Sequence, residues 1–327
     1  VKAVVRTESW PIRGGFRIAR GARATADIVV VELYDGDRVG RGECVPYARY
    51  GESVSSVRRA IATCADRLDA PDLRAAIAEL PPGAARNALD CALWDLEAKR
   101  EGDPVWMLAG LDAAPREVVT MRTISVAAVE EMRAAATALR SAHSIKIKVD
   151  GGNDLERISA VHQAAPEARL VVDANESWSV EQTRDWLPRL GALGVCLVEQ
   201  PLRADDDEAL AQWEHELPIC ADEAFHDRAS FARAARLYDA INIKLDKAGG
   251  LTEALACARE AHRRGLPFMV GCMVSTSLAV EPALLLAPTA SFIDLDGPLL
   301  LERDREGARH DAARGVLRPS SAIWGAA

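Results

Sequence analysis

Apolar and polar positions change texture about a third of the way along the 327-residue chain. Up to about residue 117 the text opens with strand-like runs, Val4-Val5 and Ile28 to Leu33. The Gly/Arg-rich segment Arg13 to Arg23 and the Asp35-Gly36 turn signal read as their connections. Helical text follows, with Leu89, Ala92, Leu93 and Leu96 on one face at three- and four-residue spacing. Strands and then helices predict a small α+β domain. From about residue 118, eight short apolar runs alternate with amphipathic stretches such as Glu130–Ala142 and Ser230–Leu237. The expected strands are Val118–Val126, Ser144–Val149, Leu170–Ala174, Val195–Glu199, Ile219–Glu223, Ile241–Leu245, Phe268–Met273 and Phe292–Asp296. Alternation of this length demands parallel pairing through crossovers, and eight units point to a closed barrel.

Buried parallel strands are nearly all apolar, yet these carry charge near their ends: Lys146 and Lys148, Asp173, Glu199, Asp222 and Glu223, Lys244, Asp294 and Asp296. From Lys146 to Asp222 and on to Lys244 these charges recur every 22 to 27 residues, the strand spacing itself. They therefore stand at a similar height, the carboxyl rim where barrel enzymes hold their sites. Asp173, Glu199 and Asp222, from three adjacent strands, form a hard oxygen-rich set suited to Mg2+, and no His or Cys stands nearby to favour zinc. Each acid alone could equally be a salt-bridge partner or a helix cap; three in step argue for a metal.

Lys146 and Lys148 emerge on one face of their strand, and Lys244 lies across the acids from them. Two lysines flanking three carboxylates suit removal of a proton beside a carboxylate and its return from the opposite face. Some lysines also serve as partners of the acids, Lys146 foremost. Asp294 and Asp296 share a face of the eighth strand, where a substrate ammonium could bind; a turn role before Gly297-Pro298 is the plainer alternative. The acidic run Asp205 to Glu208 reads as a solvated helix start.

Composition narrows the setting. A formal charge of −9 with no basic cluster argues against nucleic-acid or anionic-membrane partners. Seven widely spaced cysteines without a C-x-x-C pair fit a reducing compartment. Val1 to Arg6 lacks a signal peptide's apolar run, and the longest uncharged stretch, Gly265 to Val280, is interrupted by Pro267 and Gly271. A soluble cytoplasmic protein is expected.

Lys146-Ile147-Lys148, Val172-Asp173-Ala174-Asn175, Val198-Glu199-Gln200-Pro201, Ala221-Asp222-Glu223 and Ile243-Lys244 through Gly249-Gly250 together resemble the enolase superfamily, most closely its muconate-lactonizing branch. Asp294-Leu295-Asp296 narrows the resemblance to dipeptide epimerases. The similarity covers nearly the whole chain. It implies an α/β fold, a modified (β/α)7β barrel at 118–303 with an α+β cap at 1–117 and a tail at 304–327 returning to the cap. It further implies one Mg2+ per subunit, replaceable by Mn2+, on Asp173, Glu199 and Asp222, with Lys148 and Lys244 as acid/base residues and Lys146 as an electrostatic aid. Asp294 and Asp296 would hold the dipeptide ammonium. Thr123 and Met273 would line the pocket, and Arg20 or Arg23 of the cap loop would meet an acidic side chain. A homo-oligomer is implied by the family alone.

The activity so implied is epimerisation at the carboxyl-terminal residue of a dipeptide, Ala-Glu foremost. On the same scaffold, a muconate cycloisomerase, an o-succinylbenzoate synthase or an N-acylamino-acid racemase is the alternative, although the Asp294/Asp296 pair suits an amine better than a dianion. A Schiff-base aldolase using Lys148 or Lys244 and a binding protein without catalysis are more distant readings.

Overall fold

In the computed structural model, which describes residues 1–65 and 72–326, the chain opens with a long hairpin. Strands β1 (Lys2–Ile18) and β2 (Gly21–Asp35) pair antiparallel, and β3 (Arg38–Cys44) joins the far side of β2. The Arg13–Arg23 segment is part of this hairpin and not a loop. Gly14 and Gly15, at φ 70° and 76°, absorb a register shift between Pro11 and Phe16. Beyond the shift, Phe16 to Ile18 pair with Gly21 to Arg23, which extends the hairpin to its tip at Ile18–Gly21. Val29, Val31 and Leu33 pack on Leu89, Leu93 and Leu96 of the helix Ala84–Glu101, the face the periodicity predicted.

The expected first barrel strand is two elements. β4 (Val118–Val119) leaves the barrel, and β5 (Arg122–Ile124) alone enters it. The other staves are β6 (Ser144–Lys148), β7 (Arg169–Asp173), β8 (Val195–Glu199), β9 (Ile219–Ala221), β10 (Ala240–Lys244), β11 (Phe268–Gly271) and β12 (Phe292–Asp294), each beginning and ending within two residues of its expected bounds. All neighbours from β5 to β12 are parallel. Among the described residues no strand ladder joins β12 to β5. Met121 N donates to Ile293 O (2.9 Å), Leu295 N to Thr120 Oγ1 (2.8 Å) and Thr123 N to Asp296 Oδ2 (2.7 Å), and these bonds close the seam. β4 pairs instead with the tail, where β13 (His310–Asp311) and β14 (Val316–Leu317) complete a small antiparallel sheet.

The period-two alternation of each stave sorts its side chains. Ile145, Ile147, Leu170, Val172, Ile241 and Ile243 point outward into the layer under the helices. Val171, Leu197, Cys220, Ala240, Met269 and Met121 fill the lower interior. Two residues further along, the inward positions are Asp173, Glu199, Asp222 and Asn242, all buried. A packed apolar plug thus supports a charged layer at the rim. In the connection after β8 a 3-10 helix, Asp207–Gln212, replaces a longer helix. There Asp207 is buried rather than solvated, because Tyr238 (2.6 Å) and Arg233 hydrogen-bond its carboxylate. Among the described residues no helix is long and apolar enough to cross a membrane.

Candidate active site

A cavity of about 460 Å³ lies between the hairpin tip and the carboxyl ends of the staves. Thr123, Lys146, Lys148, Asp222, Lys244, Met273, Asp294 and Asp296 line it from the barrel, with Arg20 and Arg23 on the cap side. Asp173, Glu199 and Asp222 each bring one carboxylate oxygen within 4.8 Å of the others. The expected metal, lysine and pocket residues are therefore brought to one place, whereas the acidic run Asp205 to Glu208 does not line the cavity.

Lysines interleave with these acids. Lys146 Nζ stands 2.6 Å from Glu199 Oε2, 2.6 Å from Asp294 Oδ2 and 3.1 Å from Asp173 Oδ2. Lys148 reaches Asp173 Oδ2 at 2.5 Å, and Lys244 reaches Asp222 Oδ2 at 2.7 Å. Their staves, β6 and β10, are four apart in a ring of eight, so Lys148 and Lys244 face each other across the mouth.

Burial opposes charge on Asp173, but Lys148 and Lys146 outweigh it and hold this carboxyl below the usual carboxylate range. Asp222 is likewise held well below that range, against its burial, by Lys244, Lys247 and Lys146. Burial and then Asp173 push Glu199 up. On the other side, burial opposes charge on Lys244, but Asp222 and Glu199 raise it above an ordinary lysine; Lys146 is likewise raised, against its burial, by Asp294 and Glu199.

The site fits a hard divalent cation. Glu199 Oε2 is buried with the Lys146 ammonium 2.6 Å away, and Asn242 Nδ2 donates to its other oxygen at 2.8 Å. Gly271 leaves room for that asparagine, since a Cβ there would sit 2.4 Å from Asn242 Oδ1. Three buried carboxylates, each with an oxygen within 4.8 Å of the others, are the hard donor set Mg2+ takes.

The two ends of the cavity differ. At the seam, Asp294 is paired with Lys146, and Asp296 accepts from Thr123 N. Burial and then Asp294 push Asp296 up to about 6. On the cap side, Arg20 is already engaged: it donates to Glu223 Oε1 (2.5 Å), Asn175 O (2.8 Å) and Tyr47 Oη (2.9 Å). Arg23 lies over the Tyr47 ring at 5.5 Å and, among the described residues, has no ion pair.

Two residues escaped the sequence reading. Gln200 bonds the loop that carries Asp222, and Lys247 is buried beneath it. Lys247 sits in helical text, where a lysine ordinarily reads as exposed; its only signal was its place three residues after Lys244.

A family model described as the mandelate racemase/muconate lactonizing enzyme N-terminal domain matches residues 1–110, and one described as enolase C-terminal domain-like matches residues 127–320. The chain belongs to the enolase superfamily. Within the superfamily, the L-Ala-D/L-Glu epimerase of Escherichia coli is 46% identical over 92% of this chain and 94% of its own length. An N-acetyl-D-glutamate racemase of a Pseudoalteromonas species is 41% identical over 92% and 96%. A crystal structure of an enolase family member from Agrobacterium tumefaciens, described as homologous to dipeptide epimerases and holding sodium and L-Ala-L-Glu, superposes with a TM-score of 0.95 at 44% identity over 99% of both chains. A dipeptide epimerase from Cytophaga hutchinsonii, complexed with Mg and D-Ala-L-Val, gives 0.90 at 26% identity over 99% of this chain and 95% of that one.

Proposed function

We propose that the protein is a Mg2+-dependent dipeptide epimerase that inverts the carboxyl-terminal residue of its substrate, L-Ala-D/L-Glu foremost. The observation that carries this reading is the placement of Lys148 and Lys244 on opposite staves above three converging carboxylates. Its relatives, epimerases and racemases of amino-acid derivatives, support it.

Asp173, Glu199 and Asp222 would hold the ion. When bound, Mg2+ supplies Lewis-acid charge to the substrate carboxylate and eases the negative charge that grows as the α-proton leaves. Lys244 is kept protonated by Asp222 and Glu199; with those carboxylates neutralised it becomes free to act as a base. One lysine removes the α-proton from its face, and the other delivers a proton from the opposite face. Lys146 spans the triad and the seam, holding positive charge beside the substrate carboxylate. Asp296, with Asp294 behind it, receives the ammonium, and Thr123 and Met273 wall that end. Arg23, which has no ion pair among the described residues, meets the side-chain carboxylate of glutamate.

The reading includes a cap at 1–117, a barrel at 118–303 and a tail at 304–327. It also includes work in the cytoplasm as a homo-oligomer, the first in keeping with Cys44, Cys91, Cys196, Cys220, Cys257 and Cys272 lying outside any disulfide.

The test is incubation of L-Ala-L-Glu with Mg2+ in deuterated water. Deuterium at the glutamate α-carbon and the D-Glu epimer are expected, and Lys148→Ala abolishes inversion. Racemisation of N-acetyl-glutamate with the dipeptide inert would favour the acyl-amino-acid reading, and failure of both substrates would refute the proposal.

A further inference from the structure

Asp222 is held by a second lysine that takes no part in the proton transfers. Lys247 lies in the short helix Leu245–Ala248 that follows β10 and is 1% exposed. Its Nζ donates to Asp222 Oδ1 (2.6 Å), to Asp222 O (2.5 Å) and to Asn242 O (3.0 Å). All three ammonium hydrogens are thereby used, two of them on one residue. The other carboxylate oxygen of Asp222 faces Lys244 at 2.7 Å.

The backbone of Asp222 is fixed from another direction. Its N–H donates to Gln200 Oε1 (2.9 Å), which also accepts from Ala224 N (3.0 Å). Gln200 Nε2 donates to Leu202 O (2.9 Å) and Tyr238 Oη (2.8 Å), so the carboxamide cannot turn over without losing bonds at both ends. Gln200 is fully buried and adopts a left-handed φ of 38°, a conformation that a side chain with so many partners can maintain.

Charge compensation alone does not account for Lys247. A buried ammonium is costly unless well paired, and among the described residues its one ion-pair partner, Asp222, already has Lys244. An apolar side chain would fill the same space without desolvating a charge. What the ammonium does is lock both the side chain and the carbonyl of a single carboxylate.

We infer that Lys247 is a positioning residue, which together with Gln200 holds Asp222 in the one arrangement that serves a divalent cation. This rests on the reading of Asp222 as a ligand. A ligand locked in advance loses less freedom on binding, and partners of this kind change metal affinity by about 10–100-fold when removed.

The experiment measures Mn2+ binding by the electron paramagnetic resonance of free ion, with wild type, Lys247→Met and Asp222→Asn, and thermal unfolding in chelator as the folding control. Wild type takes up one Mn2+ per chain, Asp222→Asn loses it, and Lys247→Met unfolds cooperatively but binds about 10–100-fold more weakly. Wild-type affinity in a folded Lys247→Met protein overturns the inference while leaving the metal reading intact. A wild type that takes no Mn2+, or an Asp222→Asn variant that binds normally, overturns the ligand reading and the inference with it. Should Lys247→Met not fold, Lys247→Gln, which keeps a donor for the Asp222 carbonyl, is judged by the same affinities, as is Gln200→Leu for the amide side.

Discussion

Lys146 Nζ and Asp294 Oδ2 lie 2.6 Å apart inside the barrel, and this ion pair makes the two acids of the eighth strand unequal. Asp294 already has a cationic partner within the protein, so under the proposed function Asp296 is the acid left to a substrate amine. Asp296→Asn should therefore raise KM for L-Ala-L-Glu roughly 10–100-fold, the scale of a lost hydrogen bond to a charged group. Asp294→Asn should act mainly on kcat, by releasing Lys146 toward the triad. Steady-state kinetics of both variants check the asymmetry, and matching KM effects would contradict it.

Asp296 also predicts a pH dependence of binding. Burial, then the charge of Asp294, lifts its carboxyl to about 6. Above that value it is charged and attracts an ammonium; below it the attraction is lost. The dissociation constant of L-Ala-L-Glu, followed by calorimetry from pH 5 to 8, should rise as pH falls through about 6. Asp296→Asn should flatten that limb.

Arg20 and Arg23 differ in what they have left to offer. Arg20 ties the hairpin tip to Glu223 and Asn175 on the barrel rim, so Arg20→Ala should lower kcat/KM for all dipeptides alike. Arg23→Ala should instead erode the preference for glutamate over leucine at the second position by roughly 10–100-fold. A panel of Ala-Xaa dipeptides separates the two patterns.

Removal of divalent metal should silence the enzyme without unfolding it. Lys146, Lys148, Lys244 and Lys247 already pair with the triad, so the acids stay compensated once the ion is withdrawn. Dialysis against chelator should abolish epimerisation while the melting temperature moves by no more than a few degrees, and Mg2+ should restore turnover.

The barrel and its charged rim were legible because a parallel stave imposes a strict apolar run, against which Asp173, Glu199 and Lys244 stand out. Val118–Val126 misled for a related reason. Its apolar text suits either sheet, and only the return of Val316–Leu317 from the far end of the chain decides that β4 leaves the barrel. The Arg13–Arg23 stretch looked like a loop because Gly14 and Gly15, read locally, signal a turn; pairing with β2 makes them a bulge. Which arginine is free could not be read at all, since the partners that engage Arg20 lie between 27 and 203 residues away.

One stitch of the barrel seam is made by Asp296, the acid proposed to receive the substrate amine. Any exchange of that residue to suit a different amine end would also loosen the join between the last stave and the first. New substrate preferences are thereby steered toward the hairpin tip, where a side chain can change without disturbing the ring beneath it.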